Sequence, residues 1–339
     1  MTSEAPPFWW EKPGWRAYAL SPFSTLYGRV AAYRMAAAKR AHCELPVLCI
    51  GNFTVGGTGK TPVAIAMAGA ARRMGLKPGF LSRGHGGSFS HAHIVDTGRD
   101  SARRVGDEPL LLAEHAPVAV TPNRAVGAKL LQEQGCDFLI MDDGFQSARI
   151  QIDYALLVID ARYGVGNGHI IPGGPLRAPL IDQLRLADAV LRMGEGAAAD
   201  QTVRKASRAG KPIFEAAVRP CDGARLAGRR FLAFAGIGHP EKFFTSVEEA
   251  GGVVASRRPF PDHHFYSRDD LDELVAAAHA DGLELVTTAK DAARLRHGVA
   301  DEAFLNLLEI LEIETVFEVE QTPARIIAAT LDAWRRRRL

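Results

Sequence analysis

The stretch LPVLCIGNFTVGGTGKTP, residues 45–62, decides the fold class of this 339-residue chain. It begins as a short apolar run, passes through a glycine-rich loop and leads into a segment with helical apolar spacing. A strand, a glycine-rich loop and a helix in that order are typical of a phosphate-binding loop, whose backbone N–H groups surround phosphate oxygens at a helix N-terminus. The stretch therefore predicts a nucleotide-binding α/β domain.

The loop itself supplies the candidate ATP-binding residues. They are Thr54, Val55, Gly56, Gly57, Thr58, Gly59, Lys60 and Thr61. The usual pattern GxxxxGK[ST] begins with glycine, whereas this chain has Thr54 there, although other glycines follow within the loop. We expect Lys60 to contact the β- and γ-phosphates and the hydroxyl of Thr61 to bind Mg²⁺. A purely structural turn is the alternative, and the lack of a lysine at Val55 argues against partitioning-type ATPases.

The rest of the chain continues the alternation of apolar strands and helical segments. Strands are predicted near residues 45–52, 78–83, 92–97, 117–121, 136–143, 154–160, 188–193, 212–218, 230–236, 252–256, 284–288 and 315–320. This alternation predicts a parallel sheet with helices on both faces, as in P-loop NTPases. The stretch 194–211 interrupts the pattern, so we predict a P-loop domain over 39–198 and a second, smaller α/β domain over 199–339. The terminal helix, near 322–336, is a candidate to pack back on the first domain.

Two pairs of neighbouring acids are candidates for a phosphoryl-transfer site. Asp142 and Asp143 end an apolar strand, where an acid of the Walker-B type should lie beside the phosphate loop. Adjacent strand residues point to opposite faces, so only one of the two is expected to bind the metal directly. Asp107 and Glu108 precede an apolar helical run, and the residues alone favour a simple helix N-terminus there.

One further residue and two further stretches are considered for a role in binding or catalysis. Arg83 follows a predicted strand and is a candidate phosphate or substrate contact, although lone arginines are usually surface residues. The stretch FPDHH (260–264) places two histidines beside an aspartate, and histidine moves protons near neutral pH. The stretch TTAKDAARL (287–295) is superficially similar to the guanine-specifying NKxD motif, but its lysine and aspartate are adjacent, so GTP is not expected.

The first forty residues are rich in aromatic and basic side chains, and two interpretations stay open. The aromatics are Phe8, Trp9, Trp10, Trp15, Tyr18, Phe23, Tyr27 and Tyr33, and the basic residues are Lys12, Arg16, Arg29, Arg34, Lys39 and Arg40. Such a combination suits the interface of an anionic membrane. The aromatics could equally pack a helix against its own domain.

Composition narrows the class of protein. Charged residues make up 24% and hydrophobic residues 47%, a globular balance, and the net charge of +2 gives no reason to expect nucleic acid. The four cysteines form no CxxC pair, which fits a reducing, cytoplasmic compartment. No apolar stretch of about 18 residues predicts a spanning helix, and no cleavable signal is evident at the N-terminus.

The order of the motifs along the chain is informative as a set. They are GNFTVGGTGKTP (51–62), LSRG (81–84), GDEP (106–109), DDGFQ (142–146), GNGHIIPGGPLRAP (166–179), FPDHH (260–264) and TAKDAARL (288–295). Together they resemble the tetraacyldisaccharide 4′-kinases, the lipid A 4′-kinases of Gram-negative bacteria. The resemblance covers nearly the whole chain, and the combination is far more specific than any single motif.

The resemblance implies a two-domain P-loop lipid kinase that uses ATP and Mg²⁺. The acceptor would be the 4′-hydroxyl of a tetraacylated glucosamine disaccharide 1-phosphate, at the cytoplasmic face of the inner membrane, with residues 1–38 as a membrane-associated segment. No obligate protein partner is implied. The family's acceptor-activating aspartate falls on Asp107, its supporting histidine on His263, and its phosphate-loop lysine on Lys60. The implied metal ligands are Thr61, Glu108 and Asp142, and the further candidate contacts are Arg83, Asp143, Gln146 and Arg177.

Two other functions would use the same features. A P-loop switch or metallochaperone-type ATPase at the membrane surface would hydrolyse ATP without an acceptor, or would need a partner protein. A membrane-peripheral binding module with a degenerate loop would not hydrolyse ATP at all. Transfer of labelled phosphate to a lipid A precursor distinguishes the kinase from both.

Overall fold

Two β-sheets with helices packed on their faces form the protein. The computed structural model describes residues 5–84, 91–147, 149–221 and 223–339. The strands are β1 (Val47–Asn52), β2 (Pro78–Ser82), β3 (His93–Ile94), β4 (Val118–Val120), β5 (Phe138–Asp142), β6 (Tyr154–Asp160), β7 (Ala189–Met193), β8 (Ile213–Pro220), β9 (Arg230–Ala235), β10 (Val253–Pro259), β11 (Glu284–Thr288), β12 (Leu308–Leu311) and β13 (Ile313–Phe317). The helices are α1 (Trp15–Ala19), α2 (Ser21–Ala37), α3 (Lys60–Arg73), α4 (Ala102–Val105), α5 (Asp107–Ala113), α6 (Arg124–Glu133), α7 (Leu180–Leu186), α8 (Asp200–Arg208), α9 (Pro240–Glu249), α10 (Arg268–Asp281), α11 (Ala289–Arg296), α12 (Glu302–Asn306) and α13 (Thr322–Arg338).

The larger sheet has nine strands in the order β13-β8-β7-β6-β1-β5-β2-β4-β3. Its interior strands are parallel, which confirms the predicted parallel α/β architecture. The edge pairs β13–β8 and β3–β4 are antiparallel. Because β1 runs parallel to its neighbours β5 and β6, the loop that follows it lies at the carboxyl edge of the sheet, where α/β proteins bind ligands.

The sequence of β1 shows why a continuous apolar run forms the central strand. Leu48 and Ile50 pack into the apolar cluster on one face of the sheet, together with Met67 of α3. Val47 and Cys49 pack into the cluster on the opposite face. Successive side chains of a strand alternate between faces, so a strand covered on both faces must be apolar throughout. The first face is covered by α3, α5 and α13, and the second by α2, α6, α7 and α8.

The smaller sheet has four parallel strands in the order β10-β9-β11-β12. Phe243 and Phe244 of α9 pack on one of its faces. Leu271 and Leu274 of α10 pack on the other. The sheet therefore has its own two-sided apolar core.

The strand order differs from the predicted division of the chain at residue 199. The predicted strands near 212–218 and 315–320, which were placed in the smaller domain, correspond to β8 and β13 and lie in the nine-stranded sheet. The chain thus returns to the larger sheet after β12, a strand that was not predicted, and the smaller sheet is formed within 230–311. Apolar periodicity identifies a strand but not its partner, because pairing uses backbone groups common to all residues.

The N-terminal segment packs on the larger sheet with one face and exposes the other. Trp9 Nε1 donates a hydrogen bond to Pro172 O at 3.0 Å, and Gly173 N donates one to Ser24 Oγ at 3.0 Å. The opposite side forms an exposed aromatic face that consists of Trp15, Tyr18, Phe23, Leu26, Tyr27, Val30 and Tyr33. Domain packing therefore accounts for only part of the aromatic content of this segment. In the ranges that the structure covers, no helix is both long enough and apolar enough to cross a bilayer.

Replacing a buried isoleucine of α13 tests how firmly this helix is packed on the larger sheet. Ile327 is fully buried, so Ile327→Ala should lower the free energy of unfolding by about 2–5 kcal/mol, because truncation leaves a cavity. Ile181 on α7 is 70% exposed, and Ile181→Ala should cost less than about 0.5 kcal/mol. The urea midpoint of the full-length chain, followed by circular dichroism, is the measurement. Equal midpoints for the two variants would contradict the packing of α13.

Candidate active site

The phosphate loop connects β1 to α3 at the carboxyl edge of the larger sheet. Its Gly56 and Gly59 have φ angles of 111° and 84°, which glycine adopts without the steric cost that a Cβ brings. Thr54 does not have a positive φ. The backbone at the first position of the loop therefore does not require the glycine of the usual pattern, which explains why threonine is tolerated there.

The PGGPLR stretch holds the first half of the loop in place. Val55 N donates a hydrogen bond to Pro175 O at 2.9 Å. Arg177 Nε donates one to Thr54 O at 3.1 Å. Arg177, predicted as a polar contact, therefore supports the loop backbone directly.

Asp143 connects this arginine to the lysine of the loop. Arg177 Nη1 and Nη2 donate to the two carboxylate oxygens of Asp143 at 2.7 and 2.9 Å. Lys60 Nζ lies 3.8 Å from Asp143 Oδ2. Burial favours the neutral acid, but the charges of Lys60 and Arg177 outweigh it and lower the pKa of Asp143 to about 2. Asp143 therefore stays ionised and orients Lys60.

Asp142 has a different environment from its neighbour. It ends β5 in register with Ile50 of β1, which brings its carboxylate to the edge where the loop begins. The residue is buried, and within the described residues its Oδ1 has no hydrogen-bond partner. Burial, reinforced by the charge of Glu108, raises the pKa of Asp142 to about 7. A buried oxygen without a partner needs an explanation, and an ion is one.

Asp107 begins α5 and contacts side chains that come from the smaller-sheet part of the chain. His263 Nδ1 lies 3.2 Å from Asp107 Oδ2, although 156 positions separate the two residues in sequence. Arg294 donates to the same oxygen through Nε at 3.0 Å and Nη2 at 2.8 Å. Burial alone would raise the pKa of Asp107, but the His263 hydrogen bond and the charges of Lys290 and Arg294 hold that pKa well below its usual range. The hydrogen bond to Asp107 in turn raises the pKa of His263.

Glu108 forms the second contact between the same two parts of the chain. Lys290 Nζ donates to Glu108 Oε1 at 2.6 Å. The charge of Lys290 is the largest influence on the pKa of Glu108 and lowers it against the opposing effect of burial. Lys60 also lowers this pKa, so the phosphate loop and the acid pair belong to one electrostatic cluster.

Lys290 and Arg294 were missing from the predicted site. Both lie on α11, four positions apart and therefore on one face of the helix. The sequence signal was present in TAKDAARL, where two cations share a helical face. The motif contributed to the family resemblance and was otherwise compared only with a guanine-recognition motif, and nothing in the sequence indicates that this helical face contacts the GDEP acids.

Two other predicted contacts have different surroundings. Gln146 Nε2 donates to Asn52 O at 2.6 Å and to Gln183 Oε1 at 2.9 Å, so Gln146 supports the backbone at the end of β1. Arg83 follows β2 and is exposed. The structure does not bring Arg83 into the cluster of loop lysine and acids through any hydrogen bond or ion pair among the described residues.

A second contact between the two sheets adjoins the phosphate loop. Tyr163 stacks on His239 with ring centroids 4.8 Å apart, and Trp10 meets Tyr163 edge-on at 5.5 Å. Lys242 of α9 forms an ion pair with Asp160 at the end of β6. Trp10, Asp160, Tyr163 and His239 line one cavity together with the first residues of the loop. None of these side chains was predicted as a site residue, because they lie outside the motifs, and Trp10 was predicted only as part of the aromatic N-terminal segment.

The oxygen donors at the loop fit a magnesium ion. Mg²⁺ prefers oxygen ligands and is usually held by one or two carboxylates together with phosphate oxygens and water. Thr61 is buried at the start of α3, and Asp142 offers a buried oxygen without a partner. Across the described part of the chain, no group of three or more His, Cys, Asp or Glu side chains is arranged to hold a metal ion. Thr61 and Asp142 therefore offer oxygen donors of the kind that Mg²⁺ takes together with phosphate oxygens.

Comparisons with known proteins agree with this chemistry. A profile of the tetraacyldisaccharide-1-P 4′-kinase family matches residues 16–332. The chain is 68% identical over 340 residues to the tetraacyldisaccharide 4′-kinase of Mesorhizobium japonicum, with 100% of this chain and 99% of that protein covered. It is 52% identical over 338 residues to the tetraacyldisaccharide 4′-kinase of Brucella anthropi, with 99% of each covered.

A solved structure has the same fold. LpxK from Aquifex aeolicus, crystallised in complex with ATP, is 26% identical and superposes with a TM-score of 0.73 over 93% of this chain and 99% of that one. Because the profile match and both relatives extend over nearly the whole length, the chain belongs to the tetraacyldisaccharide 4′-kinase family.

Proposed function

We propose that this chain is an ATP-dependent lipid kinase that phosphorylates the 4′-hydroxyl of a tetraacyldisaccharide 1-phosphate. One observation supports this proposal above the others. The hydrogen-bonded pair of Asp107 and His263 lies beside Glu108, which shares a cluster of charges with Lys60 of the phosphate loop. This arrangement would place a base for the acceptor hydroxyl next to the nucleotide phosphates. A switch ATPase, the alternative considered from sequence, has no need of an acceptor base.

The phosphate loop and the adjoining acids would bind Mg·ATP. Backbone N–H groups from 54–61 would surround the phosphates, and Lys60, oriented by Asp143, would contact the departing γ-phosphate. Thr61, Asp142 and Glu108 would hold the ion. When bound, Mg²⁺ neutralises charge on the phosphate oxygens. Lys290 bonds to Oε1 of Glu108, so the second oxygen, Oε2, is the one that would face the ion.

Asp107 would activate the acceptor. A sugar hydroxyl is a poor nucleophile, so a base within hydrogen-bond reach helps as its proton leaves. Asp107 would accept that proton while the hydroxyl oxygen bonds to the γ-phosphorus and the bond from that phosphorus to the bridging oxygen breaks, leaving ADP. His263, hydrogen-bonded to Asp107, would tune the carboxylate or relay the proton.

The exposed aromatic face would bring the enzyme to its lipid substrate. Trp15, Phe23 and Tyr33 are 76%, 64% and 73% exposed, and Arg29 and Arg34 of α2 are exposed beside them. Aromatic side chains favour the bilayer interface, and arginines favour anionic headgroups. We infer peripheral binding at the cytoplasmic face of the inner membrane, where an acylated disaccharide would be presented.

The decisive experiment is transfer of phosphate from γ-labelled ATP to a tetraacyldisaccharide 1-phosphate. The wild-type chain should label the lipid, and Lys60→Ala should reduce transfer by about 10³-fold or more while folding is preserved, because Lys60 stabilises charge on the transferred group. Lys129 is an exposed lysine on α6, and Lys129→Ala is the matched control that should act like wild type. Release of free phosphate without lipid labelling would instead favour a switch ATPase.

Asp107 and His263 should act as one catalytic unit. Asp107→Ala should lower kcat by about 10²–10⁴-fold with little change in ATP affinity, because a general base contributes to that extent. Adding His263→Ala should then cost little more, since residues that act together are non-additive. The measurement is a double-mutant cycle on kcat at saturating ATP and lipid, with the exposed His279→Ala as control. Losses that simply multiply would leave His263 with a separate role.

Serine substitutions on the exposed aromatic face should weaken membrane binding. Phe23 and Leu26 are 64% and 65% exposed, so their double replacement by serine should reduce partitioning to anionic vesicles by about tenfold or more through lost apolar burial. Val319 and Leu307 are 48% and 50% exposed elsewhere, and their double replacement is the control. Cosedimentation measures both, and added salt should weaken the electrostatic part of binding. Unchanged partitioning of the Phe23 and Leu26 variant would argue for packing alone.

A further inference from the structure

Arg294 is the most enclosed cation at the junction between the two sheets. Its side chain is only 2% exposed, and it faces Asp107 and Asp291, whose side chains are 5% and 0% exposed. Burying charges is costly unless each is paired and hydrogen-bonded. An arginine kept in such surroundings indicates that its geometry matters, because a pair of well-packed apolar residues would often be at least as stable.

All the hydrogen bonds to Asp107 from the smaller-sheet part of the chain converge on one oxygen. Arg294 donates to Oδ2 through Nε and Nη2 at 3.0 and 2.8 Å, and His263 Nδ1 lies 3.2 Å from the same atom. The second oxygen of Asp107 receives none of these three bonds. An oxygen with three donors around it is a poor site for a further proton, so Oδ1 is the better acceptor.

The second terminal nitrogen of Arg294, Nη1, is also fixed by hydrogen bonds. Arg294 Nη1 donates to Asp291 Oδ1 at 2.6 Å and to Gly236 O at 2.9 Å. Asp291 is itself fixed by Tyr266 Oη at 2.8 Å and by Gly236 N at 3.1 Å. Four hydrogen bonds from the guanidinium, two to Asp107, one to Asp291 and one to Gly236, therefore restrict the orientation of Arg294.

The same glycine also fixes the histidine. His263 N donates to Gly236 O at 3.1 Å, the carbonyl that Arg294 contacts. The backbone of His263 has a φ of 58°, a conformation that costs a non-glycine residue roughly 1–2 kcal/mol and persists only where its surroundings hold it. Gly236, Arg294, Asp107 and His263 thus close a ring of hydrogen bonds.

We propose that Arg294 is a positioning residue for the phosphoryl transfer, which holds Asp107 through Oδ2 and so leaves Oδ1 for the acceptor hydroxyl. The proposal rests on the proposed kinase function of the site. Arg294 touches neither substrate nor nucleotide in this scheme and acts only through Asp107. Lysine cannot replace it fully, because an ammonium is a single point of charge and lacks the planar fork that contacts both aspartates and the carbonyl together.

A neighbouring ion pair provides the control. Arg296 Nη1 donates to Glu114 Oε1 at 2.9 Å, and it also joins α11 to the end of α5. Its side chain is 43% exposed, and exposed ion pairs contribute little. Arg296→Gln therefore removes a cation from the same helix without touching the ring, and should leave kcat and KM near their wild-type values.

The test is a double-mutant cycle between Arg294→Gln and Asp107→Asn, with Arg296→Gln alongside. Arg294→Gln should lower kcat about 10- to 100-fold while the KM for ATP changes less than about threefold. Arg294→Lys should fall between this variant and wild type. In the Asp107→Asn background, Arg294→Gln should reduce the residual kcat less than about threefold, because the group it positions is gone.

Each other outcome has a definite meaning. An equal loss in both backgrounds, or a loss that appears chiefly in KM for ATP, would overturn the proposal and make Arg294 a structural link between the sheets. If thermal melting shows that Arg294→Gln does not fold, the same cycle is run with Arg294→Lys, and a wild-type kcat for that variant overturns the proposal equally. Absence of lipid labelling by the wild-type chain would reject the proposed function instead.

Discussion

The parallel pairing of β1 with β5 is the constraint on which the rest of the site depends. It sets Ile50 opposite Asp142, and Asp143 N donates to Ile50 O at 3.1 Å, so the phosphate loop and the acids emerge at one edge. Both strands are buried on both faces, and alternation of side chains therefore cannot fix their register. The acids at the end of β5 do fix the register, because a shift of β5 along β1 in one direction would move an ionisable carboxylate between the apolar layers.

The smaller sheet completes the site from both sides of the loop. On one side, α11 and the segment after β10 contribute Arg294, Lys290 and His263 to the acids of α5. On the other, α9 contributes Lys242 to Asp160 beside the loop. These charged contacts are accompanied by the stack of Tyr163 on His239 and by Ala293 of α11, which packs into the apolar cluster of the larger sheet.

Most strands and helices could be predicted from the sequence, but the pairing of the strands could not. The glycine loop, the strands β6 and β11 and the helix α10 follow from local patterns, since periodicity and turn residues act within a few positions. The assignment of β8 and β13 to the larger sheet does not follow, because backbone pairing has no side-chain signature. Within the site, the phosphate loop and the acids at the strand end could be predicted from the local sequence. The roles of Asp107 and His263 were implied only by resemblance to a family. Lys290 and Arg294 were recognisable as two cations on one helical face, but neither that face nor Gly236 indicated its partners, because those contacts exist only when distant segments meet.

The charges at the site leave one carboxylate uncompensated. Asp143 contacts Lys60 and Arg177, Glu108 contacts Lys290, and Asp107 contacts Arg294. Among the described residues Asp142 forms no such ion pair, and burial with the charge of Glu108 raises its pKa to about 7, whereas the cations beside Asp143 bring that pKa to about 2. Two adjacent residues at one strand end thus differ because Asp143 pairs directly with Arg177 and Lys60, whereas the charges of Lys60 and Lys290 lower the pKa of Asp142 too little to outweigh its burial. A divalent ion bound together with a nucleotide would add positive charge next to Asp142. Asp143 would keep its contacts with Lys60 and Arg177 and so continue to hold the loop.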